Sequence, residues 1–554
     1  MKILYNKYRT IITSLILVIT SMIFILPFLS LTSCRSADID QDKVLNGSGR
    51  SGGIAAVKIN LLGSEYANSD KPAQVASINQ KGLNVNNDIQ HYSVLVSPSS
   101  FITAKLTPNR SLSSVASSKN LNTIAAVTGD QLGAGNKFRV IVYKHDDGSY
   151  KTYQDYTIGQ PVAPLMLDGG VNYDIVAYSY GVTTLPAISS VEQTNVNNAT
   201  INYNDLSRDL MYQKISYTPN GSIPNNILNI TLRHKIPNLT IVINSNSDFY
   251  KISSVSNAKI GNDYPHATFS LGTGKMSEWG SPTMIDLPFM NTGSPTTGFK
   301  SSSLFVNNDT SENDSHFSAD IIINGQTKTI NLSKAFKITP EYKSNLTINL
   351  IKCGAYIDSN TNPANYKEFM CQNLGATEGI NPFSPEAGNH GAKYQWGAQT
   401  EEAGRYISQA NDQSNSHVIT GWNPIPKPDG SWSDASKTAN DPCPSGYRVP
   451  SRTQWQAVID NNNIERVGSW NNNNGNYTTA IYFRNPSNKR TLMLPAAGFR
   501  NLSDGTLQGR GSSGYYSSSS EAASNAHNLF FNSESVNISN YGRTNAYSVR
   551  CVAE

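Results

Sequence analysis

The sequence predicts a mostly β protein, two antiparallel β-sandwich domains followed by a third, α+β unit. Three observations predict it. Short apolar runs with a period of two, separated by Gly, Asn and Asp turns, recur from residue 54 to about residue 350, the pattern of half-buried strands. Charged residues make up only 15% of the chain, below the roughly 25% of an average globular protein. Asn, Ser, Thr, Gly and Tyr fill the gap, a composition that suits exported β proteins. Beyond residue 350 the composition shifts to Trp, Gly, Asn and Ser, together with four of the five cysteines. A chain of 554 residues can bury several separate cores.

The chain opens with Lys2, Lys7 and Arg9, an apolar stretch from Ile11 to Leu31, and the tetrapeptide Leu31-Thr32-Ser33-Cys34. A basic start, an apolar middle and a small-residue end predict a secretory signal over residues 1–33. The apolar stretch approaches the ~20 residues of a membrane-spanning helix, so a permanent anchor is the competing reading. The tetrapeptide resembles the bacterial lipobox, which implies that Cys34 becomes the mature N-terminus and carries a diacylglyceryl thioether. Two or more acyl chains hold a protein stably at a membrane where one does not. Loss of residues 1–33 removes three cations and no acid, lowering the formal charge from +4 to +1. Near neutrality, no electrostatic case for nucleic acid remains.

Residues 34–53 hold Asp38, Asp40 and Asp42 and then a Gly/Ser-rich run. Such sequence buries too little apolar area to order itself and reads as a flexible tether. Gly47, Gly49 and Gly52, and again Gly509, Gly511 and Gly514, fit G-x-G-x-x-G. Neither set lies between a strand and a helix, so both read as loops.

In residues 54–204 the clearest strands are Ala56-Val57-Lys58-Ile59-Asn60-Leu61, Phe138-Arg139-Val140-Ile141-Val142-Tyr143 and Tyr173 to Tyr180. In residues 205–350 they are Leu228 to His234, Leu239 to Ile243, Ile321 to Ile323 and Leu346 to Leu350. The Pro237-Asn238 step between the first two of this second set predicts a turn, hence a hairpin.

Lys137 to Tyr143, Pro164-Leu165-Met166-Leu167-Asp168-Gly169-Gly170, Ile175 to Tyr180, and Asp209-Leu210-Met211-Tyr212 with Leu232-Arg233-His234-Lys235 together resemble the fimbrillin-like family of Bacteroides-type fimbrial subunits. The resemblance implies a lipoprotein precursor, trimmed by a protease and polymerised when one subunit lends a strand to the next. Arg50 is then a candidate processing point. Stalk subunits of that family lend a C-terminal strand, whereas this chain ends in a further domain, which implies a tip, an accessory subunit or a non-polymerising surface relative.

Cys353, Cys371, Cys443 and Cys551 form an even set in one region of an exported chain, which predicts two disulfides with three possible connectivities. No C-x-x-C pair supports zinc. Residues 351–554 carry Lys367-Glu368-Phe369-Met370-Cys371-Gln372-Asn373-Leu374-Gly375, Tyr394-Gln395-Trp396-Gly397, Asp441-Pro442-Cys443-Pro444-Ser445-Gly446-Tyr447-Arg448-Val449-Pro450-Ser451-Arg452-Thr453-Gln454-Trp455, Leu494 to Arg500, Gly514-Tyr515-Tyr516-Ser517-Ser518-Ser519, and Tyr547-Ser548-Val549-Arg550-Cys551-Val552. In this order the segments resemble the FISUMP domain, a family thought to share the C-type-lectin-like and formylglycine-generating-enzyme fold. Beside it, Ser451 with Gln454 makes a capping-box pattern that predicts a helix through about Asp460. Cys443 and Cys551, near the start of that helix and in the final strand, are the pair expected to join, leaving Cys353 with Cys371.

Five of the six tryptophans lie in this region. Trp396 and Trp455 fall within family motifs and read as core. Trp422 and Trp432, in a Pro- and Gly-rich segment, and Tyr515 and Tyr516 are the candidate ligand-binding aromatics, because sugar C–H faces pack on exposed rings. No cofactor is implied. Calcium is conceivable through Asp429, Asp434 and Asp441, but the lectin Glu-Pro-Asn and Trp-Asn-Asp signatures are absent from the sequence. No H-E-x-x-H or G-x-S-x-G motif points to catalysis, and no catalytic or metal residue is assigned. The chain is therefore expected to be a non-enzymatic surface lipoprotein, at the outer membrane or in a fimbrium. Its expected partners are the membrane, other fimbrial subunits and a glycan or protein receptor. Capture of polysaccharide without a fibre is the alternative.

Overall fold

A computed structural model describes residues 52–67, 89–109, 130–204, 209–245, 250–290, 294–308, 314–323 and 325–554. The signal segment, Cys34 and Arg50 lie outside the described residues. Within them the chain is mostly β, and Arg452–Asn461 is the longest helix.

Seven strands form the first sheet, in the order Tyr150–Thr157, Lys137–Lys144, Tyr173–Ser179, Met211–Tyr217, Asn226–His234, Ile54–Glu65 and Leu165–Asp168. On one face Val57, Val140, Val142, Leu165, Ile175 and Ile230 belong to a single buried cluster. Every fully buried member of that cluster comes from these same seven strands, so the sheet covers its own face by curling. The other face, with Ile141, Tyr143, Val176 and Tyr178, packs under the small sheet that holds Tyr203 and Phe269. Burial on both faces explains why Val140 to Tyr143 reads as a continuous apolar run instead of an alternating one.

The second core lies between two sheets. One contains Gly298–Lys300, Asn238–Ser245, Lys343–Lys352, Ser100–Pro108 and Gln90–Ser97, and the other Thr283–Asp286, Ile252–Asp263, Ser315–Ile323 and Gln326–Phe336. Their inward residues, among them Ile241, Ile260, Phe317, Leu332 and Ile348, form one cluster.

These pairings correct the sequence reading in three places. Asn226–His234 and Asn238–Ser245 do not form a hairpin: the first already lies between Ile54–Glu65 and Met211–Tyr217, and the second enters the other sheet. Pro237-Asn238 is thus the crossing from one core to the next. The sheets do not divide at 204/205 either, because residues 211–234 complete the first sheet while residues 90–108 complete the second. Nor is the pairing wholly antiparallel. Ile54–Glu65 runs parallel to Asn226–His234, and Asn238–Ser245 runs parallel to Lys343–Lys352.

Strand Lys343–Lys352 leads directly into the C-terminal region. There the amides of Cys353 and Cys371 donate to Ser99 and Pro98 carbonyls at 2.8 and 2.7 Å, seating the turn between Gln90–Ser97 and Ser100–Pro108. The main C-terminal sheet runs Tyr406–Ile407, Lys393–Gln395, Ala546–Ser548, Ala497–Arg500, Ser513–Ala522, Asn525–Asn532, Val536–Gly542. Helix Arg452–Asn461 packs Trp455 and Val458 against Tyr516, Leu529 and Phe531 on one face of it. The capping box is present: Ser451 Oγ accepts from the Gln454 amide at 3.2 Å, and the Gln454 side chain accepts from the Ser451 amide at 2.9 Å. Ser451→Ala should therefore cost about 1 kcal/mol of stability in urea unfolding, and a change below about 0.3 kcal/mol would show the cap to be dispensable.

Candidate binding face

Strand alternation divides the aromatic residues of the C-terminal sheet between its two faces. Tyr515 pairs with Phe530 across adjacent strands, and Tyr516 with Leu529. Tyr516, Leu529 and Phe531 point to the helix side and are fully buried. Tyr515, Phe530 and Tyr541 point the other way, joined by Phe499 and Tyr547 from neighbouring strands. Tyr515 is the hub of these rings: its centroid lies 4.6 Å from Phe499, 5.0 Å from Phe530, 6.0 Å from Tyr541 and 5.4 Å from Tyr547, the last nearly parallel. Offset and edge-on contacts of this kind hold aromatic clusters rigid.

Tyr547 is buried beneath the group, Tyr515, Phe499 and Phe530 are half-buried, and Tyr541 is 41% exposed. Leu502, 43% exposed, borders the rings near Gly542. Asn537 and Ser539 share the face with Tyr541, and Ser539 Oγ donates to Asn537 Oδ1 at 2.8 Å. Burial raises the Tyr515 hydroxyl above the ordinary phenol range and raises Tyr547 further still, so both stay neutral. The outcome is a rigid, uncharged apolar surface edged by an amide and a hydroxyl.

Of the four aromatics singled out from the sequence, only Tyr515 belongs to this surface. Trp432 is fully buried, its indole N–H donating to the Asn440 carbonyl at 2.9 Å, and Trp422 is 8% exposed, donating to the Leu502 carbonyl at 3.2 Å. Tyr516 is fully buried with its hydroxyl on the Pro495 carbonyl and the Asn373 amide. The Pro- and Gly-rich segment read as an exposed loop folds back, so its tryptophans fill the space under it. Trp396 and Trp455 are core, as their motifs imply. Phe499, Phe530 and Tyr541 carry no local signal in the sequence, because only strand pairing brings them together.

Asp429, Asp434 and Asp441 are separately engaged. Asp429 pairs with Arg543 at 2.6 Å, Asp434 accepts from Ser519 and Ser520, and Asp441 accepts from Lys437 and from the Cys443 and Val449 amides. Among the described residues no group of three His, Cys, Asp or Glu side chains could hold a metal ion. His234 is packed, stacked on Tyr66 at 4.0 Å with its Nδ1 on Asp209 at 2.7 Å. The disulfides are Cys353–Cys371 and Cys443–Cys551, the expected pairing.

Behind the sheet lies a charge cluster that sequence reading did not anticipate. Asp412, fully buried, receives Arg500 Nε at 2.7 Å and Arg510 Nη2 at 2.7 Å, with Lys393 Nζ at 3.4 Å, and all three cations are themselves buried. Burial alone would raise the Asp412 pKa, but the three cations outweigh it and hold the carboxyl below its ordinary range. Burial pushes Lys393 down to about 8. His390 nearby is pushed down to about 3 by burial and by the charges of Lys393 and Arg510.

Comparison with known proteins adds a family model described as a domain of unknown function, DUF8237, which matches residues 469–552. No curated protein matches. Among solved structures, one provisionally named a cell adhesion protein from Bacteroides fragilis aligns at TM-score 0.29 with 11% identity, covering 53% of this chain and 92% of its own. A second, provisionally named a cell adhesion protein from Bacteroides uniformis, aligns at TM-score 0.27 and 16% identity over 39% of this chain and 86% of its own. A fimbrial assembly protein from Parabacteroides distasonis aligns at TM-score 0.26 and 11% identity over 38% of this chain and 82% of its own. Likenesses this remote leave the functional reading to the residues themselves.

Proposed function

We propose that the protein is an exported, lipid-anchored adhesion protein of the cell surface, a fimbrial tip or accessory subunit whose C-terminal region contacts a glycan or a protein. The observation that carries this reading is the ring cluster around Tyr515, an apolar surface of neutral rings left open on one face of a disulfide-braced sheet. Aromatic side chains dominate binding hot spots because they offer large, rigid contact area, and sugar C–H faces pack on the same rings. The resemblance to fimbrillin-like and FISUMP sequences and the lipobox-like Leu31-Thr32-Ser33-Cys34 point to the same place of action.

Probing glycan and matrix-protein arrays with the full chain tests the proposal. A specific ligand is expected, and Tyr541→Ala, at an exposed ring, should weaken it at least about tenfold with no loss of thermal stability. Binding that survives both Tyr541→Ala and Phe530→Ala, or no binding on any array, would reject the aromatic face as the contact.

A further inference from the structure

The sandwich formed by residues 90–108 and 238–352 is closed at one end and open at the other. Edge strand Gln90–Ser97 runs beside edge strand Gln326–Phe336, one from each sheet. At the closed end the Gln90 amide joins them, donating to the Lys337 carbonyl at 2.8 Å and accepting the Lys337 amide at 2.6 Å. At the opposite end the strands part around a cavity of about 470 Å³, within the roughly 300–1,000 Å³ of small-ligand sites.

Inward positions of both sheets build this cavity. Ile102 and Leu350 line it from one sheet, and Ile321, Ile323 and Ile330 from the other. Val94 packs into the core, and Val96, at the bulge that follows Leu95, lines the mouth of the cavity and is 59% exposed. Alternation likewise puts Lys328 on the face of Ile330 and Leu332, and Lys328 lines the cavity. Its ammonium makes no ion pair or hydrogen bond to another described side chain.

Lys352 also lines the cavity but is paired with Glu368, so among the described lining residues Lys328 is the one cation without a partner, and a largely apolar interior with that charge at its entrance selects for an occupant of matching polarity. A peptide strand would carry backbone N–H and C=O groups between the sheets, where isoleucine and leucine side chains offer them no partners, and such burial is costly. A hydrocarbon chain has no such groups, and each methylene buried is favourable. We propose that the open end of this sandwich binds a single-chain anionic amphiphile, a free fatty acid, with the acyl chain between the sheets and the carboxylate at Lys328. The site is separate from the aromatic face and stands whether or not that face binds a glycan.

Displacement of a fluorescent fatty acid, dansylaminoundecanoic acid, from the full chain by dodecanoate below its micelle concentration tests this. Saturable binding at one site is expected. Lys328→Glu should weaken dodecanoate about five- to tenfold and leave dodecanol unaffected. Val96→Trp, at an exposed position that fills the mouth, should weaken both at least about tenfold. The wild-type melting temperature should persist in each variant. Absence of saturable displacement, equal affinity in wild type and both variants, or binding to anionic vesicles but not to monomeric dodecanoate would overturn the proposal.

Discussion

Asp412→Ala should cost the C-terminal region about 3–5 kcal/mol, the usual penalty for stripping a buried cation of its counter-charge. The argument rests on number as well as burial, because one carboxylate answers for three buried cations. Arg500 and Arg510 spread further donors over carbonyls of Asp412, Asn415, Gly505 and Asn474, so each guanidinium keeps partial compensation. Among the described residues Lys393 has only the long contact to Asp412. Lys393→Met should accordingly be neutral or stabilising, by up to a few kcal/mol.

The pH dependence carries a sign for each group. Asp412 titrates below its ordinary range in the folded state, so its contribution is complete above the unfolded value of about 3.9 and lost as pH falls through the folded one. His390, down at about 3 when folded, takes its proton first in the unfolded chain, so stability also falls as pH drops below about 6.5. Lys393, down at about 8, releases its proton in the folded state while the unfolded chain still holds one. Stability should thus rise between pH of about 8 and about 10.4, and Lys393→Met should abolish that rise. Urea unfolding followed by tryptophan fluorescence measures all of this. A loss under about 1 kcal/mol for Asp412→Ala would mean that water reaches the cluster.

Local chemistry was the legible part of the sequence. Ser451 and Gln454 announce the helix because a capping box is decided by residues three apart. The period-two runs announce strands because side-chain direction depends only on position in the strand. What such runs do not encode is the partner. Asn226–His234 and Asn238–Ser245 have the same local signature whether they fold back or pass into different sheets, so the expected hairpin failed on long-range pairing.

The candidate site was harder to read for the same reason. The Gly- and Pro-rich surroundings of Trp422 and Trp432 signal a loop, yet loop-forming residues say nothing about whether the loop covers a core. Tyr515 sits beside Tyr516 in sequence, and alternation sends one to the open face and the other to the helix side. The buried cations left a different trace. Arg500 and Arg510 lie in adjacent paired strands, but Asp412 reaches them from a short helix 88 and 98 residues earlier, separations at which no spacing rule operates.

Removal of the Cys443–Cys551 disulfide by paired alanine substitution should cost about 4–5 kcal/mol, against about 3 kcal/mol for Cys353–Cys371, in the chain-entropy model. The difference follows from the loops closed, 108 residues in one case and 18 in the other, because a longer loop gives up more freedom in the unfolded chain. Position reinforces it. Cys443 and Cys551 sit in one buried cluster with Trp396, Trp432 and Val449, so that cross-link joins the loop segment to the final strand. Cys353–Cys371 instead lies under the turn at Ser99, where the Ser99 and Pro98 carbonyls already bind both cysteine amides. Much of that local structure should survive reduction. Thermal melts of the two double variants should preserve this order, with the Cys443/Cys551 variant the first to unfold. If the variants lost equal stability, or if the Cys353/Cys371 variant were the weaker, native-state contacts and not unfolded-chain entropy would govern what these bonds contribute.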